Sequence, residues 1–172
     1  MAYFRFDDKK VYYKECGSGE PILLLPGNTA SSIMFNSILE KYAKSFKVIL
    51  IDFPGHGKSE RLKRFESDFW FYNSTVCVKL LEKLNINKIT VIGTSGGALI
   101  GINLALEHPE KVQSLVADSF IGDYPPIDFT DKIKEKREKS KKDEITKEYW
   151  YNNHGADWET VVDLDTEMLI GF

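Results

Sequence analysis

The sequence predicts an α/β fold, a mostly parallel sheet with helices on both faces, extended near its C-terminal end by a helical insert. Three observations carry that reading. From residue 21 onward short apolar runs at 22–25, 47–51, 89–92 and 112–117 alternate with longer segments of helical periodicity, the pattern of strand–helix–strand units with right-handed crossovers. The run Ile89-Thr90-Val91-Ile92 leads into Gly93-Thr94-Ser95-Gly96-Gly97 and then into residues apolar on all sides as far as Ala105 and Leu106, which is a buried strand, a sharp turn and a buried helix. From residue 131 to 148 the composition shifts to lysine and glutamate with isolated apolar positions, and Trp150, Trp158, Val161, Val162, Leu164, Met168 and Leu169 follow.

The elements follow in order. Residues 2–6 and 11–16 are β-prone on either side of Asp7-Asp8-Lys9-Lys10, as in a hairpin. Gly17-Ser18-Gly19-Glu20-Pro21 breaks the chain before the strand at 22–25, and Pro26-Gly27-Asn28-Thr29-Ala30 forms a loop at that strand's end. A helix capped near Ser31 or Ser32 presents Phe35, Ile38, Leu39 and Tyr42. After the strand at 47–51 comes Asp52-Phe53-Pro54-Gly55-His56-Gly57-Lys58-Ser59, and then a helix whose face is Phe69, Tyr72, Val76, Leu80 and Leu84. His108-Pro109 stops the helix that starts at Ser95, and 112–117 is one more strand. The charged stretch 131–148 reads as a solvated helix with Glu135/Lys139 and Glu138/Lys142 pairs, followed by a helical pair that packs. A functional charged patch is the alternative, but both signs are mixed there.

Composition bounds the function. The chain has 172 residues, 42% hydrophobic and 28% charged, enough for one sizeable core. A net charge of −3 gives no electrostatic case for nucleic acid or an anionic membrane as partner. With two cysteines, Cys16 and Cys77, a disulfide framework is not expected and a reducing, cytoplasmic setting fits. The first ten residues carry acids and no apolar core, unlike a signal peptide, and no apolar run approaches the roughly 20 residues that span a bilayer. No cofactor and no metal is expected.

The turn at Ser95 is a G-x-S-x-G. A serine on such a turn stands clear of the sheet, and the N–H of the next residue, here Gly96, faces the same space from the positive end of a helix. Nucleophilic attack on an acyl carbon needs that pair, because the developing oxyanion must be met by donors already in place. About 0.06 chance matches to the pentapeptide are expected in a chain of this length, and few of those would sit between an apolar strand and an apolar helix.

The stretches Leu23-Leu24-Leu25-Pro26-Gly27-Asn28, Asp52 to Ser59, Val91-Ile92-Gly93-Thr94-Ser95-Gly96-Gly97 and His108-Pro109-Glu110-Lys111-Val112 together resemble the α/β-hydrolase superfamily over about residues 1 to 120. The resemblance implies that Ser95 is the nucleophile and that the backbone N–H groups of Asn28 and Gly96 form the oxyanion hole. Where many relatives have His-Gly this chain has Pro26-Gly27, a change that leaves a backbone donor intact. It also implies a division into an N-terminal part of the hydrolase core, 1–124, and a helical cap segment, 125–172. About six of the family's eight strands are expected, with the usual base and acid lying beyond residue 172.

None of the three histidines is an obvious base. His108 lies 13 residues past Ser95, about 20 Å along a helix. His56, between two glycines of a turn motif, reads as structural. His154 is the candidate to face substrate from the cap, and Asp118, after the sixth strand, stands where some family members supply the acid. Two functions stay open: a serine hydrolase acting on a small-molecule carboxylic ester or related acyl compound, of which this is an incomplete piece, weakly active or inactive, and a non-catalytic fold that binds a small ligand between core and cap. The strand at 112–117 lacks the charges or proline that protect an edge, so self-association through it is also expected.

Overall fold

The computed structural model describes residues 2–120, 122 and 128–171. The expected boundary between 124 and 125 lies outside the described residues. Six strands form one sheet in the order β1-β2-β4-β3-β5-β6. β1 (Ala2–Phe6) and β2 (Lys9–Cys16) are an antiparallel hairpin. Its turn is tighter than the four residues expected, because Asp7 and Asp8 both take positive φ, 45° and 61°, the geometry that matches strand twist. β2 runs antiparallel to β4 (Phe46–Asp52), while β3 (Glu20–Leu25), β4, β5 (Ile89–Thr94) and β6 (Val112–Asp118) are mutually parallel.

The parallel strands are apolar because both faces are covered. On one face Leu23, Leu25, Ile49, Ile51, Ile89 and Val91 pack with Val76, Leu80 and Leu81 of α2 (Phe69–Lys83) and Ile100 and Leu104 of α3 (Gly96–Glu107). On the other, Ile22, Leu24, Val48 and Leu50 meet Phe35 and Leu39. Those last two arise from a 3₁₀ turn (Ser32–Phe35), capped by the Ser31 hydroxyl, that runs into α1 (Asn36–Ala43). Ile38, expected on the packed face, stands at the surface. β6 is an edge strand; Val116 is 52% exposed on it.

The charged stretch is two helices rather than one. α4 (Phe129–Ser140) ends where Asp143 caps α5 (Glu144–His154) by accepting the Thr146 N–H. Glu138 pairs with Lys141, which also reaches Asp163, rather than with Lys142. α6 (Trp158–Ile170) follows, and its Val161, Met168 and Leu169 pack on Phe65 and Phe69. The helical segment therefore sits on the loops that leave the C-terminal ends of β3 and β4. Among the described residues no helix is long and apolar enough to cross a membrane.

Candidate active site

β5 delivers its chain to Ser95 in a conformation that side-chain-bearing residues avoid, φ 56° and ψ −121°. Backbone hydrogen bonds hold the turn: the Ser95 N–H donates to the Asp118 carbonyl at 2.8 Å, and the Ser95 carbonyl accepts from the N–H groups of Ala98 at 2.9 Å and Leu99 at 3.3 Å. Ser95 is exposed while Gly96 and Gly97 are buried. The turn closes only without side chains on its glycines. A Cβ at Gly97 would overlap the Leu25 carbonyl oxygen and stand 2.6 Å from that of Pro26, and one at Gly93 would overlap the Gly97 carbonyl. The result is a strained strand-to-helix elbow with a hydroxyl at its apex.

The loop after β3 comes up against this elbow. Ala30 N–H donates to the Gly27 carbonyl at 3.1 Å, closing a four-residue turn in which Thr29 takes φ 57°. For a β-branched residue that is a genuine outlier. A Cβ at Gly27 would lie 3.8 Å from Ser95 Oγ, and one at Gly96 would overlap Asn28 Oδ1. The structure thus brings Ser95, Gly96 and Asn28 to one place. The opening N–H groups of α3 have no acceptor within the helix and sit at the positive end of its dipole.

Residues of the helical segment grip this loop. Asn28 Nδ2 donates to Asp165 Oδ1 at 2.6 Å, and Asn28 Oδ1 accepts from Trp70 Nε1 at 3.2 Å. Arg137 donates to Asp165 Oδ2 at 2.9 Å and to Thr29 Oγ1 at 3.0 Å, and Trp150 Nε1 donates to the same hydroxyl. Asp165 is wholly buried. Burial lifts its pKa to about 6, outweighing the opposing pull of the Arg137 guanidinium and of the Asn28 donor. Arg137, Trp150 and Asp165 were not legible as site residues, though a signal existed: Asp165 lies on the helix face of Val161, Val162, Met168 and Leu169, where an unpartnered carboxylate would not be stable.

The expectation that His154 faces substrate is corrected. Its Nδ1 accepts the Gly57 N–H at 3.1 Å, so Nε2 carries the hydrogen and donates to the Thr29 carbonyl at 3.0 Å. Both nitrogens tie the helical segment to the core, and burial lowers the pKa. His56 is also buried, stacked on Phe65 at 4.9 Å, with a pKa lowered to about 3 chiefly by burial. His108 ends α3 and lies 3.5 Å from the Glu110 carboxylate. The Asp118 carboxylate is exposed and accepts from the Ser119 hydroxyl at 3.0 Å.

A pH dependence follows. The two buried histidines are neutral when folded, while in the unfolded chain they take up protons below about pH 6.5. Their contribution to stability is complete above that pH and is lost as pH falls, by at most about 1.4 kcal/mol per pH unit for each ring. Urea midpoints at pH 7.5 and 5.0 measure the loss, and His56→Phe should shrink it. An unchanged slope in that variant would exclude His56 as a source.

Known proteins are similar to this chain in sequence and fold. The 2-hydroxy-6-oxononadienedioate/2-hydroxy-6-oxononatrienedioate hydrolase 1 of Pseudomonas putida is 33% identical over 116 residues, covering 63% of this chain and 40% of its own. The pimeloyl-[acyl-carrier protein] methyl ester esterase of Chromobacterium violaceum is 33% identical over 105 residues, covering 61% and 39%. Among solved structures, Est816, described as an N-acyl homoserine lactone degrading enzyme, superposes with a TM-score of 0.73 at 22% identity over 95% of this chain and 70% of its own. The chain spans about two fifths of the length of the curated relatives it matches. A family model described as alpha/beta hydrolase fold matches residues 20–144, and with the strained serine elbow at the end of a central parallel strand that places this chain in the alpha/beta hydrolase family.

Proposed function

We propose that the chain supplies the nucleophile and oxyanion hole of a serine hydrolase that acts on a carboxylic ester or related small acyl compound. One observation carries this: Ser95 stands exposed on a positive-φ elbow directly against the Asn28 loop. Ser95 Oγ attacks the acyl carbon, and the carbonyl oxygen, now anionic, is met by the N–H groups of Gly96 and Asn28. Collapse expels the alcohol and leaves an acyl-enzyme, which water resolves. The Ser95 proton must go to a base and return to the leaving group. Since His56, His108 and His154 are all engaged elsewhere, the reading assigns base and acid to sequence outside residues 1–172, in keeping with the share of the relatives' length spanned. Residues 128–171 act as a cap over the site. The same three engaged histidines favour the second reading, a non-catalytic ligand binder.

A fluorophosphonate separates the two. Without a base the oxyanion hole alone leaves about 10³ to 10⁴ of the rate enhancement over water, so slow labelling at Ser95, abolished in Ser95→Ala, is expected, with no measurable ester turnover by this chain. Labelling mainly at another serine would sink the nucleophile assignment.

A further inference from the structure

Every helix of the C-terminal segment reaches the same two residues. Arg137 of α4 and Trp150 and His154 of α5 hold Thr29, and Asp165 of α6 holds Asn28. Among the described residues theirs is the one loop with a β-branched residue at positive φ, a conformation that persists only where surroundings over-determine it. The hydrogen-bond directions are fixed as well. Asp165 is an acceptor on both oxygens, one taken by Arg137 and the other by Asn28. Asn28 must therefore turn its Nδ2 toward Asp165 and its Oδ1 toward the Trp70 N–H and the Gly96 backbone. Reversing the carboxamide would set donor against donor at Trp70.

We infer that Asp165 is a positioning residue: acting through the Asn28 carboxamide, it sets the oxyanion loop against Ser95, so that seating of the helical segment and reactivity of the serine are coupled. The inference rests on the reading of Ser95 as nucleophile. It assigns the cap a second task besides enclosing a substrate, since a loop released from Asp165 and Arg137 would relax away from the strained turn.

Fluorophosphonate labelling of Ser95, followed by mass spectrometry, tests the coupling in Asp165→Asn, Asn28→Ala and the double variant. A side-chain amide at 165 has one acceptor for two donors, so D165N is expected to slow labelling about tenfold, below the 10² to 10³ of losing an oxyanion donor outright. N28A should do the same, and the double variant should lose no more than the larger single loss, because both changes cut one link. Multiplicative losses overturn the inference. Should D165N not fold, Trp70→Phe removes the donor at the other end of the same carboxamide and leaves the Asp165–Arg137 pair in place. It too should slow labelling, but not in an N28A background; unchanged labelling overturns the inference. Hydrogen exchange at the Thr29 and Ala30 amides requires no nucleophile. Faster exchange in D165N or W70F supports the coupling, and unchanged exchange overturns it even where Ser95 is labelled. Labelling of another serine in the wild type instead defeats the reading of Ser95, and the exchange data then decide this inference alone.

Discussion

Gly97→Ala is expected to cost about 3 kcal/mol of stability or more, the upper end of what overpacking does. The added methyl would meet backbone, the carbonyl oxygens of Leu25 and Pro26, rather than the movable end of a side chain. Relief would require α3 to move away from β3. That motion would open the elbow and detach Ser95 from the Asn28 loop, so reactivity and stability should fall together. Gly155 provides the control. It has φ 85° and ψ −156°, but an added methyl there would have no neighbouring atom within 4 Å, so alanine carries only the backbone term, about 1 to 3 kcal/mol, without the overpacking that Gly97 adds. Chemical denaturation of both variants measures the difference, and equal losses would show that the helix–strand approach at Gly97 is looser than the distances imply.

Arg137→Met should be at least as damaging at neutral pH and much less so in acid. Asp165 is fully buried, and Arg137 is its only charged partner among the described residues. Removing one member of a buried pair leaves the other charge uncompensated, at about 3 to 5 kcal/mol. The sign with pH follows from the raised carboxyl. Between the unfolded value near 4 and the folded value of about 6 the native state holds a proton that the unfolded state has released, so Asp165 costs stability as pH rises through that window. Without Arg137 the folded value rises further, and the cost continues to grow above pH 6. Below pH 4 the carboxyl is neutral in both states, and only the guanidinium's packing on Trp150 and its bond to Thr29 are lost. Urea unfolding at pH 7.5 and 4.0, each relative to wild type, cancels the histidine contributions. An equal loss at both values would mean that Asp165 is not ionised in the native protein. Asp165→Leu added to R137M should recover much of the loss, because an apolar pair of similar volume needs no compensation.

The strand–helix alternation, the elbow and the parallel sheet were all legible in the sequence, because each is written in local terms: β-branched runs, helical periodicity, and glycines where side chains cannot fit. The length of the hairpin turn and the break between α4 and α5 were missed by a few residues, since an Asp that takes positive φ or caps a helix looks the same in sequence as one that is simply solvated. Ser95, Gly96 and Asn28 lie close together, as motif spacing implied, because that spacing reports backbone geometry. His154 was misplaced because spacing says nothing of which neighbours its nitrogens meet.

By itself, then, the sequence determined the parallel sheet and the sharp strand-to-helix turn at Ser95. Only the tertiary structure decided that Arg137, in a lysine-rich run that reads as solvent-facing, turns inward to a carboxylate 28 residues away and a threonine 108 residues away. The physical reason is that ion pairs and shared hydrogen bonds across such separations depend on how α4 and α6 settle on the β3 loop, and burial, which makes those contacts matter, exists only once they have settled.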